Sequence, residues 1–395
     1  MGQSGNDTFY RERRLPPYVF AEVNRMKAAW RKEGRDIIDF GMGNPDLAPA
    51  PHIVEKLKEV AADPRAHRYS ASQGVPSLRR AFTRYYERRF DVGLNPETEV
   101  CVTLGSKEGL ANLAQAITAP GDVIIVPDPS YPIHMFGFII AGAAVRAVSF
   151  NSPEQFLADA VTACKRSVPA PSAMVLNFPS NPTAQVVDLD FYREAVKVAK
   201  ANDIVLISDL AYSEIYFDGN PPPSILQVEG ARDVAVEFTS MSKTYSMPGW
   251  RIGFAAGSAR LIAALKRVKS YLDYGAFTPV QIAAVAALDG PQEHVAIARE
   301  TYKKRRDVLV ESFSRAGFDI PSPPATMFAW APIPERFAHM GSVEFAKDLM
   351  EKTGVAVAPG LGFGERGDTH IRLALVENEQ RIRQAARNLK GYFQP

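Results

Sequence analysis

The sequence predicts an α/β fold: a mainly parallel β-sheet covered by helices on both faces, with a smaller α+β unit beside it. Apolar runs of strand length recur between about residues 99 and 257, and helical stretches separate most of them. Strands apolar on both sides belong to a parallel sheet buried on both faces. Polar residues gather just after these runs, at the strand ends where α/β sheets bind ligands. A chain of 395 residues also exceeds what one small core organises.

Element by element, a polar start, MGQSGNDTFYRERR, leads into LPPYVFAEVNRMKAAWRKEG, where a rigid proline pair precedes an amphipathic helix ended by Gly34. DIIDFGMGNPD reads as a short strand and a Gly/Asn/Pro loop. EVCVTLG is a strand and SKEGLANLAQAI a helix; DVIIVPDPSYP, SAMVLNFPSNP and DIVLISDLAYSE each read as strand then loop. DVAVEF and WRIGFAAG are two further strands. Near residue 290 the pattern changes: HVAIARETYKKRRDVLVESFSRAG is one long helix, followed by short strands around MFAWAPI and HIRLALV and a closing helix. We divide the chain into an amino-terminal arm with part of the small unit (1–45), a large domain (46–289) and a carboxyl-terminal small domain (290–395).

Hydrophobic content of 46% and charge of 23% are those of a soluble globular protein. The formal net charge is +2, and RERR and KKRR read as solvated faces, so nucleic acid is not an expected partner. Cys101 and Cys164 are too few and too separated for a disulfide framework or a zinc site, which points to a reducing cytoplasm and to no metal. The apolar run MFGFIIAGAAV is about half the length a membrane-spanning helix requires, and the amino terminus lacks the apolar core of a signal peptide. No membrane association is expected.

Chemistry enters with TSMSKTYSMPGWRIGF, where Lys243 stands among Ser240, Ser242, Thr244 and Arg251 with no acidic residue in the run. Lysines near turns are usually solvated, but this one joins two buried strands, and a cation crowded by Arg251 should lose its proton more easily. The missing anion fits a ligand phosphate. In TLGSKEGLANL, Ser106 is placed at the N-cap of a helix whose free N–H groups favour an anion; a plain helix cap explains it equally well. Asp209 ends an apolar strand and requires a cationic partner, either a structural salt bridge or a protonated pyridine nitrogen. Tyr212 and Asn181 would direct donors at a phenolate on the same ring, although SNP is also ordinary turn chemistry. Tyr131 suits stacking on a ring face, or simple packing. GMGNPD and GLGFGERG are not dinucleotide fingerprints, since neither follows a strand and opens a helix. Together these features describe pyridoxal 5′-phosphate (PLP), joined through its aldehyde to Lys243.

The motifs GMGNPD, RYSASQGVPSLR, GSKEGL, PSYP, FPSNPTA, SDLAY, SMSK with Arg251 eight residues beyond the lysine, and THIRLAL resemble those of the class I/II, fold-type I PLP-dependent aminotransferases over nearly the whole chain. RRLPPYVF, ARDVAVEF, KSYLDYGAFTP and GFGERGDTHIRLALVEN are similar to the bacterial glutamate-pyruvate (alanine) aminotransferases. The resemblance implies a seven-stranded large-domain sheet and a small domain formed by both chain termini. It implies that Lys243 binds the cofactor aldehyde, Asp209 the pyridine nitrogen, and Asn181 and Tyr212 the phenolate oxygen, with Tyr131 on the ring face. Ser106, Lys107, Ser240, Ser242 and Arg251 would surround the phosphate. Tyr69 would reach the phosphate of a neighbouring subunit, which implies a homodimer with shared active sites. Arg372 would grip the substrate α-carboxylate, with Gly43 close to it and Tyr18 covering the site.

The activity so implied moves an amino group between an L-amino acid and a 2-oxo acid with ping-pong kinetics, alanine and 2-oxoglutarate being the expected pair. Aspartate, aromatic or LL-diaminopimelate aminotransferase activity, or a PLP-dependent carbon-sulfur lyase of the same fold, stand as alternatives. A non-catalytic PLP-binding regulator and a nicotinamide-dependent dehydrogenase fit less of the sequence. SYLDYGAFTPVQ carries no arginine to meet a side-chain carboxylate, which favours a small substrate.

Overall fold

The computed structural model of the chain describes residues 9–17 and 19–394. Helix α1 (Val19–Lys32) leads to the two-residue strand β1 (Ile38–Asp39) and then to helices α2 (Pro51–Ala61) and α3 (Pro76–Phe90). The sheet follows: β2 (Val100–Thr103), α4 (Ser106–Ile117), β3 (Val123–Asp128), α5 (Pro132–Ala141), β4 (Ala144–Ser149), α6 (Pro153–Arg166), β5 (Pro171–Asn177), α7 (Leu189–Asn202) and β6 (Val205–Asp209). Short helix α8 (Ala231–Val234), β7 (Ala235–Ser240), the single turn α9 (Met241–Thr244) and β8 (Gly253–Gly257) close it. Helices α2, α3, α5 and α6 begin with proline, whose fixed φ suits a first helical turn and whose missing N–H is not needed there.

The seven strands lie in the order β2-β8-β7-β6-β5-β3-β4. Within this sheet β8 runs opposite to the other six strands. The connection from β7 to β8 therefore lies on the same edge as the carboxyl ends of the parallel strands, and Lys243 and Arg251 ride in it.

Each strand feeds two cores by simple alternation. On β5, Ala173 and Val175 pack with α4, α5 and α10 (Ala259–Leu272), while Met174 and Leu176 pack with α3, α6, α7 and α11 (Thr278–Asp289). Burying each large aliphatic side chain contributes about 1.5–3 kcal/mol. Edge strand β4 departs from the apolar-run pattern: Ala144, Ala147 and Arg146 are exposed, so AVRAVS carries no continuous apolar signal, and the sequence reading passed over it.

A further core draws on both ends of the chain. Ile38 and Phe40 pack with α12 (Glu293–Arg315), β9 (Phe328–Pro332), α13 (Gly341–Thr353) and α14 (Glu379–Phe393). Strand β1 pairs in parallel with β10 (Val355–Ala356), and β11 (Ala358–Pro359), β12 (His370–Ala374) and β9 form a three-stranded antiparallel sheet. Tyr212, from the loop after β6, is buried in this core, which fixes that loop between the two sheets. No described helix is long and apolar enough to cross a membrane.

Candidate active site

The carboxyl ends of β2, β3, β5, β6 and β7 open onto a cavity of about 430 Å³, closed on the far side by α1, β9, β11 and β12. Among its lining residues are Ser106, Lys107, Tyr131, Asn181, Asp209, Tyr212, Ser240, Ser242, Lys243, Arg251, Arg372 and Gly43, so residues spread over 330 positions meet in one place. A larger concavity of about 1230 Å³ lies between α6, α7 and residues 221–223. Its described lining carries the carboxylates Glu154, Asp188, Asp190 and Glu194 and no Lys, Arg or His, so it offers no cation to an anionic substrate.

Lys243 stands in α9, a turn capped by the Ser240 hydroxyl, which accepts from the Ser242 N–H at 3.2 Å. Its Nζ donates to the Gly43 carbonyl at 3.3 Å and lies 5.9 Å from the centre of the Tyr212 ring. Burial, then Arg372 and Arg251, lower its pKa from 10.5 to about 8, against the opposing pull of Asp209. Arg251 was the cation expected to do this; burial and Arg372 contribute more.

Asp209 is buried, and the side-chain partner it finds within the chain is an imidazole. His134 Nε2 lies 2.8 Å from Oδ2, and the Ala211 N–H donates to Oδ1 at 3.2 Å. Ser130 Oγ lies 2.7 Å from His134 Nδ1. Both ring nitrogens of His134 are thus partnered, one by the carboxylate and one by the hydroxyl, which fixes the plane of the ring against Asp209. The Asn177 amide donates to the Asp209 carbonyl at 3.0 Å, and its oxygen accepts the Asn181 N–H at 2.9 Å, tying the β5 and β6 loops together.

Arg372 projects from β12 with its guanidinium 4.0 Å from the Phe328 ring centre and 4.6 Å from that of Phe363. It donates to Asn181 Oδ1 at 2.8 Å and to the Gly41 carbonyl at 3.4 Å. Gly43 has no room for a side chain: a Cβ would fall 2.8 Å from the Phe328 ring and 3.3 Å from Arg372. Burial raises the Tyr212 phenol well above its ordinary range, so it stays protonated and able to donate.

At the other end, Gly105 is the N-cap of α4, with φ +83°, and Ser106 is its first helical residue. This corrects the placement of Ser106 at the cap: with φ +83° and ψ 158° the turn takes a positive-φ conformation that glycine adopts readily. A Cβ at Gly105 would also fall 2.2 Å from Arg251, and one at Gly253 would fall 2.7 Å from the Ser106 nitrogen. The two glycines thus let β8 and Arg251 press against the start of α4, where helix N–H groups point outward. Arg251 is held by the carbonyls of Pro248 at 2.8 Å and Leu104 at 3.2 Å.

Two expected residues stand apart. Tyr69 is 87% exposed, outside the cavity, with its ring 4.7 Å from that of Tyr274. Tyr18 lies outside the described residues. His134 was missed, although PSYPIH contains the signal: Tyr131 and His134 are one helical turn apart at the start of α5, on the face turned to the strand ends. Phe20 of α1 was also missed; it packs edge-on against Phe363, at 5.4 Å between ring centres.

Residues 35–389 match the family described as Aminotransferase class I and II. The chain is 64% identical to an aminotransferase named AatC from Rhizobium meliloti (strain 1021), covering 98% of this chain and 96% of that one. It is 54% identical to the glutamate-pyruvate aminotransferase AlaC of Escherichia coli (strain K12), covering 98% and 93%. The substrate-bound BacF structure from Bacillus subtilis superposes with a TM-score of 0.92 at 34% identity, covering 98% of each chain. With Lys243, Asp209 and Arg372 gathered in one cavity and these likenesses spanning nearly the full length, the chain belongs to the class I and II aminotransferases and is an enzyme of that transferase class.

Proposed function

We propose that the protein moves an amino group between an L-amino acid and a 2-oxo acid in a ping-pong cycle, with PLP as cofactor and alanine and 2-oxoglutarate as the preferred pair. The carrying observation is Lys243, an amine brought near neutrality in a cavity that places a buried carboxylate, Asp209, and a guanidinium, Arg372, within reach. The residues present fit the cofactor. Asp209 would accept from a protonated pyridine nitrogen, Asn181 and Tyr212 would donate to the phenolate oxygen, and Tyr131 would cover a ring face. The glycine-shaped start of α4, with Ser106, Lys107, Ser240, Ser242 and Arg251, would hold the phosphate.

When bound, PLP supplies an electron sink for the pair left as a substrate Cα–H bond breaks. The chain does the rest. Arg372 offers a planar fork to the α-carboxylate and so fixes the direction of the Cα–H bond. Lys243 Nζ, its pKa lowered to about 8 so that the free amine is accessible near neutral pH, takes the Cα proton and later returns one. Asp209 would hold the proton on the ring nitrogen, and His134, 2.8 Å from its Oδ2, orients the carboxylate.

The alanine pair is favoured by the AlaC likeness and by the absence of arginine in SYLDYGAFTPVQ. A homodimer is favoured by the exposed strip of Tyr69, Tyr271, Leu272, Tyr274 and Phe277, which a second copy would cover while receiving Tyr69 at its phosphate. Free Cys101 and Cys164 accord with a reducing cytoplasm. Borohydride reduction of the PLP-saturated protein, followed by peptide mass spectrometry, is expected to fix the vitamin on Lys243; label on another lysine, or none, would overturn the assignment. With unreduced, PLP-saturated protein, a panel of amino donors against pyruvate and 2-oxoglutarate should rank alanine and glutamate first. Preference for aspartate, an aromatic amino acid or LL-diaminopimelate would overturn the substrate assignment alone.

A further inference from the structure

We propose that Lys269, a residue outside the cavity, is a positioning residue that holds the phosphate-binding loop and the aromatic strip in one register; this rests on the PLP reading above. Lys269 lies in the last turn of α10 and is fully buried. A lysine is almost never buried so completely unless paired. Its Nζ donates to Glu108 at 2.8 Å and to Asp273 at 2.9 Å, and those two carboxylates lead in different directions.

Glu108 leads to the phosphate loop. It is the third residue of α4, and its other oxygen accepts the Leu104 N–H at 2.8 Å. The carbonyl of the same Leu104 receives Arg251 at 3.2 Å. Leu104 is thus held from both sides directly before Gly105 and Ser106. Asp273 leads to the aromatic strip. Its second oxygen accepts the Gly275 N–H at 2.7 Å. Gly275 has φ +79° and no room for a side chain, since a Cβ would fall 2.2 Å from the Ala71 carbonyl. Tyr274 beside it carries the ring that packs on Tyr69.

One buried ammonium therefore sets both the loop that meets the phosphate within a subunit and the segment that would offer Tyr69 to the next. Removing it leaves two carboxylates facing each other without a cation, and the two segments move apart. Lys269 directs its hydrogen bonds to Glu108 and Asp273, and not to the ring-binding groups, Asp209 at the end of β6 and Tyr131 at the N-cap of α5. The consequence is selective: the hold on a phosphate weakens, and the hold on the ring is kept.

Cofactor-free protein is titrated with PLP and with pyridoxal, the same ring without phosphate. Lys269→Met is expected to weaken PLP binding by about tenfold or more, the scale of one charge-assisted hydrogen bond, with pyridoxal unchanged within about threefold. Lys269→Arg should restore most of the PLP affinity. Equal weakening of both ligands, or of neither, overturns the inference. A wild-type protein that binds PLP no better than pyridoxal overturns the cofactor reading instead. Should Lys269→Met not fold, Asp273→Asn cuts only the link to the aromatic strip and is expected to weaken PLP about threefold at constant pyridoxal affinity; no change would again overturn the inference.

Discussion

Two carboxylates lie on adjacent central strands, Asp209 at the end of β6 and Glu237 within β7, and both are buried. Glu237 shares a face with Ser208 and is saturated: Tyr86 and Ser224 donate to one oxygen, Ser208 and the Ile225 N–H to the other. Burial nonetheless raises its pKa. Asp209, one residue further along and on the opposite face, receives His134 and one backbone N–H and borders the cavity. A carboxylate with every lone pair used stabilises a core; one with acceptor capacity left beside a cavity is available for chemistry.

The largest expected effect tests that division directly. Asp209→Ala should lower kcat by roughly a thousandfold or more, the scale of losing a preorganised electrostatic contact. Its cost in urea unfolding is that of the His134 and Ala211 donors left unpaired, on the order of 1–3 kcal/mol. Glu237→Gln should cost stability alone: its amide turns N–H groups toward donors, costing about 2 kcal/mol, while turnover per folded molecule is kept. Paired kcat and unfolding measurements on the two variants decide it. Loss of turnover without loss of stability in Glu237→Gln would erase the distinction.

Lys243 sharpens the comparison from the side of the base. Its folded pKa, near 8, lies below the ordinary 10.5, so the unfolded chain binds the extra proton between these values. The stability of the cofactor-free protein should therefore rise as pH increases from about 8 to about 10.5, and below that window folding carries a cost on the order of 3 kcal/mol. Lys243→Met removes the cost and should stabilise the cofactor-free protein at pH 7, with the advantage fading above pH 10. An equal advantage at both pH values would mean that packing, not charge, separates the variants. Such a cost is expected where function requires a poorly solvated amine.

Much of this was legible in the sequence, for a physical reason. Strands buried on both faces must be apolar along their length, so β2, β3, β5, β6, β7 and β8 announce themselves, and the polar residues after them mark the ligand edge. Asp209 and Lys243 were legible as charges at those edges. Edge strand β4 was not, because half of it faces solvent and its pattern dissolves. Nor were the partners legible: Asn181 and Arg372 meet across 191 residues, and Lys269 and Glu108 across 161. Residue type tells which groups need a partner, but only the folded chain tells which partner arrives.

His134 is the sharpest instance, because Asp209 called for a cation in the sequence and received an imidazole from 75 residues away. An imidazole is a weaker ally than a guanidinium, and here that is useful. A bidentate arginine would occupy both carboxylate oxygens, whereas His134 takes one and leaves acceptor capacity toward the cavity. His134→Phe keeps the ring volume but removes the N–H donor, and kcat should fall about tenfold with little change in KM for either substrate, as for other partners that orient a reacting group. His134→Gln, whose amide can still reach Asp209, should recover most of that loss. If His134→Phe and His134→Gln are equally impaired, the histidine acts through its shape and its bond to Ser130, and Asp209 is oriented by the β6 backbone alone.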